Sequence, residues 1–245
     1  MANAENTPAK ALGNFLDMIK QVEANENYKP SNPYLLAESM KQLHSNASAA
    51  LDSFHSSKAI MVACKKERVK TVGIVKEISR RVVNFLKACR TSVGKIEQAM
   101  AIYRLIHGYK APGSVKSTPS EPPSNGEDAK KKSNKQGSQD SLVQNFSKLI
   151  QVLKTEPLYT PNEPELKITG LEALVQRFKN DDLATATADA ANERARMRLK
   201  KLFEDPQNGV NAVMGGVKLY SKAAFGTRSA EYASLSKIKL PNVTL

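Results

Sequence analysis

Residues 14–35 occur a second time, 131 positions further along the chain. Asn14, Phe15, Ile19, Tyr28, Pro30, Pro33 and Leu35 fall on Asn145, Phe146, Ile150, Tyr159, Pro161, Pro164 and Leu166 without a gap. With about one chance match in twenty per position at ordinary composition, seven identities in this window point to an internal duplication. A duplicated chain must satisfy the same packing rules twice, so this register constrains the fold more than any other feature.

In the first copy Leu12, Phe15, Ile19 and Val22 recur at helical spacing from Pro8 onward, and the pattern ends near Asn25. The following Tyr28-Lys-Pro-Ser-Asn-Pro breaks the helix, because proline removes a donor and pushes the preceding residue out of the α region. Asn32 is then expected to cap the next helix with Pro33 at its first position. In the second copy Asn162 would cap with Glu165 three residues on, a variant of the capping box. Met40, Leu43, His44 and Ala47 match Leu171, Leu174, Val175 and Phe178 as a core-facing stripe. His44 therefore reads as a half-buried packing residue. Tyr28 and Tyr159 read as rings packed at the helix junction, not as site residues.

The copies then diverge. The second predicts a helix of about forty residues, roughly 60 Å long, that stops at Asp205-Pro206. A further helix carries Val210, Val213, Val217 and Tyr220, and a tail motif follows at Ser229-Ala-Glu-Tyr232. The first predicts a helix of about thirty residues starting near Gly73, with Ile78, Val82, Phe85, Cys89, Val93, Ile96, Met100 and Tyr103 on one stripe. Gly94 within it would permit close helix approach. Between the copies, residues 111–140 are rich in Pro, Gly, Ser and Lys and almost free of apolar side chains, which predicts a disordered linker. The expected organisation is a helical repeat at 1–110, a linker at 111–140 and a second repeat at 141–245.

Aromatic residues make up 6% of the chain and Trp is absent, which suits helices packed through aliphatic side chains better than a sheet. The expected class is all-α, two homologous helical-bundle repeats with long antiparallel helices. No apolar targeting segment opens the sequence and no run of about 18 apolar residues occurs. The expectation is a cytoplasmic chain without a membrane span. Cys64 and Cys89 lack metal-ligand spacing and read as small buried residues.

The common catalytic signatures G-x-S-x-G, G-x-G-x-x-G, the Walker loop and H-E-x-x-H do not occur. Glu-x-x-His pairs, which a carboxylate di-metal bundle needs, do not occur either. The reading is therefore not an enzyme, with no catalytic, cofactor or metal residues assigned.

Charge remains as the functional signal. The formal net charge is +13, and residues 1–110 carry 17 Lys and Arg against 9 Asp and Glu. The excess concentrates at Lys65, Lys66, Arg68, Lys70, Lys76, Arg80 and Lys87, and the second copy places Arg194, Arg196, Arg198, Lys200 and Lys201 in the matching segment. Lys65 falls on Arg196 and Lys70 on Lys201. A basic solvent face can bind phosphates by releasing condensed counterions. It can also simply keep an amphipathic helix soluble. The leading expectation is binding of nucleic acid or a nucleoprotein surface through these paired segments. The alternative is a scaffold that packs against partner helices.

Tyr-x-Pro-x-x-Pro-x-Leu at residues 159–166, Asn192-Glu-Arg-Ala-Arg196 followed by a break at Gly209, and Phe225-Gly226-x-x-Ser229-x-Glu231-Tyr232 carry a resemblance. The chain resembles an uncharacterised, internally duplicated, all-helical family of Bacteroidetes bacteria. That resemblance implies the fold and no activity.

Overall fold

A computed structural model of the chain describes residues 7–108 and 135–240, with side chains from 141 onward in the second stretch. All described regular structure is helical, so the fold is all-α. The helices are α1 (Pro8–Glu23), α2 (Ala37–Ala88), α3 (Val93–His107), α4 (Lys135–Lys154), α5 (Ile168–Glu204), α6 (Val210–Phe225) and α7 (Ala230–Lys237), with a 3-10 turn at Pro33–Leu35.

Local chemistry sets the boundaries. Thr7 Oγ1 accepts the Lys10 amide at 3.3 Å, and Pro8 fills the first position of α1. Asn32 does cap, but it caps the 3-10 turn, accepting the Tyr34 amide at 3.0 Å. Leu36 is extended and separates that turn from α2, so the cap does not reach the long helix as expected. No helix forms at 163–166, and α5 starts at Ile168. Glu165 there pairs with Arg81 at 2.9 Å instead of closing a capping box with Asn162. Asp205 Oδ1 accepts the amides of Gln207 and Asn208, at 3.0 and 2.9 Å, and this turn ends α5.

The helix expected to start near Gly73 differs from its expected bounds at both ends. α2 runs unbroken through Gly73 for 52 residues. A Cβ at Gly73 would meet nothing within 4 Å. The cost of glycine in an exposed helix, about 1 kcal/mol, is outweighed by burial of its neighbours Thr71 and Val75. The helix also stops at Ala88, well before Tyr103. Arg90 takes a positive φ of 52°, and the turn folds α3 back so that Ala99 and Ile106 enter the same core as Val82 and Leu86. Gly94 is exposed with open space around it and mediates no close approach. The close approaches belong to Gly170, Gly209 and Gly216.

Residues 111–134 of the expected linker lie outside the described residues, whereas 135–140 already belong to α4. The compact units do not follow the expected 1–110 and 141–245 division. One unit combines the chain up to Ala63 with the chain from Ala186 onward, and the other spans Cys64–Thr185. Helix packing decides the partition, and local sequence does not encode it.

In the first unit α1 buries Leu12, Phe15, Met18, Ile19 and Val22 against Met40 and Ala47 of α2, Leu199 and Phe203 of α5, and Val213, Met214 and Val217 of α6. Each such large side chain contributes roughly 1.5–3 kcal/mol on burial. Tyr28 donates its hydroxyl to the Leu35 carbonyl at 3.2 Å, and its ring meets Tyr220 of α6 edge-on. Leu35 fills the space left by Gly216 on the same helix. Lys218 of α6 reaches the last carbonyls of α7, at Ser236 and Ile238, and partial burial lowers its pKa.

In the second unit Val75, Ile78, Val82 and Leu86 of α2 pack against Phe146, Leu149 and Leu153 of α4 and Leu171 and Phe178 of α5. Tyr159 donates to the Leu166 carbonyl at 2.6 Å, and its ring meets Phe85 edge-on. Desolvation raises the pKa of both phenols, which keeps them neutral donors. His44 is half-buried against Phe15, as its stripe position implied. Cys64 and Cys89 are free and only half-buried, not fully enclosed as expected.

Candidate polyanion-binding faces

The twelve cations singled out by the sequence lie on α2 and α5, but helical geometry and ion pairing sort them into different roles. Arg68 is withdrawn from solvent, its side chain 17% exposed, and its guanidinium pairs with Asp182 of α5. Beside it Thr71, fully buried, donates to Asp181 Oδ2 at 2.6 Å, and Thr185 donates to the Asp181 carbonyl at 2.7 Å. Arg68 thus belongs to a clasp between α2 and α5 and leaves the candidate interface.

Three further cations are held by acids on their own helix. Lys70 pairs with Glu67, Arg196 with Glu193 at 3.4 Å, and Lys200 with Glu204 at 3.7 Å. The Lys70 hydrogen bond in turn keeps the Glu67 carboxyl below its ordinary range. Exposed pairs of this kind contribute little to stability, yet they neutralise local charge. The register that places Lys65 on Arg196 and Lys70 on Lys201 therefore does not carry over into matching chemistry. Lys70 is paired, whereas Lys201 is not.

Lys65 makes an interaction of its own, so seven of the twelve remain without an ion pair among the described residues: Lys66, Lys76, Arg80 and Lys87 on α2, and Arg194, Arg198 and Lys201 on α5. At 100° per residue the four on α2 fall within roughly a quarter of the helix circumference, and the three on α5 share one face at i, i+4 and i+7. Glu77 borders the α2 face, and no acid lies among the three cations on α5. Arg80, Lys87, Arg194, Arg198 and Lys201 are exposed, while Lys76 is half-buried. The α2 set belongs to the unit Cys64–Thr185 and the α5 set to the other unit. Each unit thus carries its own cationic face.

Sequence reasoning missed a second cationic feature. A groove of about 420 Å³ between α3 and α4 is lined by Lys95, Lys148, Gln98 and Gln151 over Ile102 and Val152, with no acidic side chain. Lys95 donates to Thr155 Oγ1 at 2.7 Å. Only the packing of α3 on α4 brings these residues together, so no local pattern could have announced them. Of two open grooves along α1 and α7, one of about 580 Å³ has Glu26 and Glu231 as its charged lining, and one of about 510 Å³ sets Lys10, Lys237 and Lys239 against Asp17. The larger is acidic and the smaller carries a cationic excess.

Among the described residues no three His, Cys, Asp or Glu side chains group as metal ligands, and no helix is long and apolar enough to cross a membrane. His107 Nε2 lies 3.2 Å from both Ser79 Oγ and the Lys76 carbonyl. Desolvation, aided by the charges of Lys76 and Arg80, lowers its pKa. Ser79 Oγ already donates to Lys76 O at 2.7 Å, which makes the pair a helix-packing contact and not an activated nucleophile. No family model matches the chain, and no curated protein or solved structure shows significant similarity to it.

Proposed function

We propose that the chain is a non-enzymatic binding protein whose partner is nucleic acid or a nucleoprotein surface, held by phosphate contacts. The observation that carries this reading is the cationic face in each unit, Lys66, Lys76, Arg80 and Lys87 on α2 and Arg194, Arg198 and Lys201 on α5. Clustered Lys and Arg that outnumber neighbouring carboxylates bind phosphates by counterion release, without base-specific geometry. The duplication read from the sequence is part of the same proposal. It is supported by two corners of the same construction, Tyr28 on Leu35 and Tyr159 on Leu166.

The test is a salt titration of the full chain with a fluorescent oligonucleotide. Log affinity should fall linearly with log salt, and replacing Arg194, Arg198 and Lys201 with Gln should lower the slope by roughly one unit for each phosphate no longer neutralised. Unaltered binding in that variant, or none at low salt, leaves the faces as solubility devices and favours the scaffold reading.

A further inference from the structure

Each cationic face holds an aliphatic side chain turned to solvent. Met197 is 63% exposed and lies at the edge of the α5 face, with Arg194 at i−3 and Lys201 at i+4 on one side and Glu193 at i−4 on the other. Val69 is 67% exposed and lies on the α2 stripe between Lys66 at i−3 and Lys76 at i+7. A surface shaped for solubility alone gains nothing from an exposed apolar residue set against its charge. Neither residue is used by a core.

We infer that these faces take single-stranded nucleic acid in preference to duplex, an inference that rests on the polyanion reading above. In a duplex the base faces are stacked inside, so a face lying along the phosphates would set Met197 and Val69 against charged oxygens. An unpaired strand can direct phosphates to Arg194, Arg198 and Lys201 while laying an unstacked base over Met197, whose polarisable thioether makes favourable contacts with π systems. Cations that track a backbone, with contact surfaces for bases between them, are the working parts of sequence-tolerant single-strand binders. Here an aliphatic contact stands where such proteins use aromatic rings.

The experiment measures anisotropy of a labelled single-stranded oligonucleotide and of the same sequence as duplex, at equal salt, with the full chain and with a Met197→Ser, Val69→Ser variant. Both substitutions are at exposed positions, and far-UV circular dichroism checks the fold of the variant. The expected result is at least tenfold tighter binding of the single strand. The variant should lose severalfold in single-strand affinity with an unchanged salt slope and unchanged duplex affinity. Equal or tighter duplex binding, or single-strand affinity untouched in the variant, overturns the inference and leaves the polyanion reading standing. Binding to neither, including the case in which only anionic vesicles are bound, overturns both.

Discussion

The hydroxyl of Thr71 on α2 donates to Asp181 Oδ2 on α5 at 2.6 Å, with the threonine wholly out of solvent. The bond lies next to the Arg68–Asp182 pair, so two neighbouring polar links fix which residues of the helices face each other. Replacing Thr71 with Val keeps the shape and deletes the donor, which leaves a half-buried carboxylate oxygen without its partner. The expected loss is about 1–3 kcal/mol, read as a lower urea midpoint at unchanged slope. Thr71→Ser should recover most of it. A valine variant as stable as the parent would show that water replaces the hydroxyl without cost.

Glycines on α5 and α2 should respond in opposite directions. An added Cβ at Gly170, in the first turn of α5, would overlap the carbonyl oxygen of Pro164, which is backbone and cannot swing aside. Gly170→Ala should therefore cost about 1–3 kcal/mol through overpacking. Gly73 lies within α2 with nothing near a new Cβ, so Gly73→Ala should stabilise by about 0.5–1 kcal/mol. Thermal melts of the two variants should bracket the parent. A destabilised Gly73→Ala would contradict the continuous helix.

These glycines also mark where the sequence was legible. Leu12, Phe15, Ile19 and Val22 announced α1 because one amphipathic face is a local property, and all four are buried. The Asp205-Pro206 stop was equally local, since an Asx turn needs only its own residues. Gly73 was misleading because an exposed glycine resembles a break, and the end of α2 was hidden because Arg90 takes a positive φ without a glycine. In the site, the Glu67–Lys70, Glu193–Arg196 and Lys200–Glu204 pairs could have been found at i, i+3 and i, i+4 spacing. The Arg68–Asp182 pair could not, because only tertiary packing joins them.

His107 should make stability depend on pH. Burial lowers its folded pKa below the ordinary value of 6.5, with Lys76 and Arg80 adding repulsion. As pH falls through 6.5 the unfolded chain takes up a proton before the folded chain does, so stability drops and levels off only below the folded pKa. The urea midpoint should therefore be lower at pH 5.5 than at pH 7.5, and the difference should shrink in His107→Gln. Imidazole proton shifts should place the midpoint of His107 below 6.5. A midpoint at or above that value would remove the effect.

The last prediction is a gain of binding. If free cations grip phosphates, releasing those now held by acids should strengthen the grip. Glu193 holds Arg196 at 3.4 Å and Glu204 holds Lys200 at 3.7 Å. Both acids lie on α5 in the same unit as Arg194, Arg198 and Lys201. Replacing both glutamates with Gln raises the local charge by two and frees two side chains, at a stability cost of well under 1 kcal/mol per exposed pair. Oligonucleotide affinity should rise severalfold at low salt, with the log–log salt slope steepening by up to about two units as the freed cations reach phosphates. Since Arg196 and Lys200 lie across the helix from Arg194 and Arg198, a rise in affinity without a steeper slope would mean long-range attraction alone. An unchanged affinity would mean that α5 does not meet the nucleic acid.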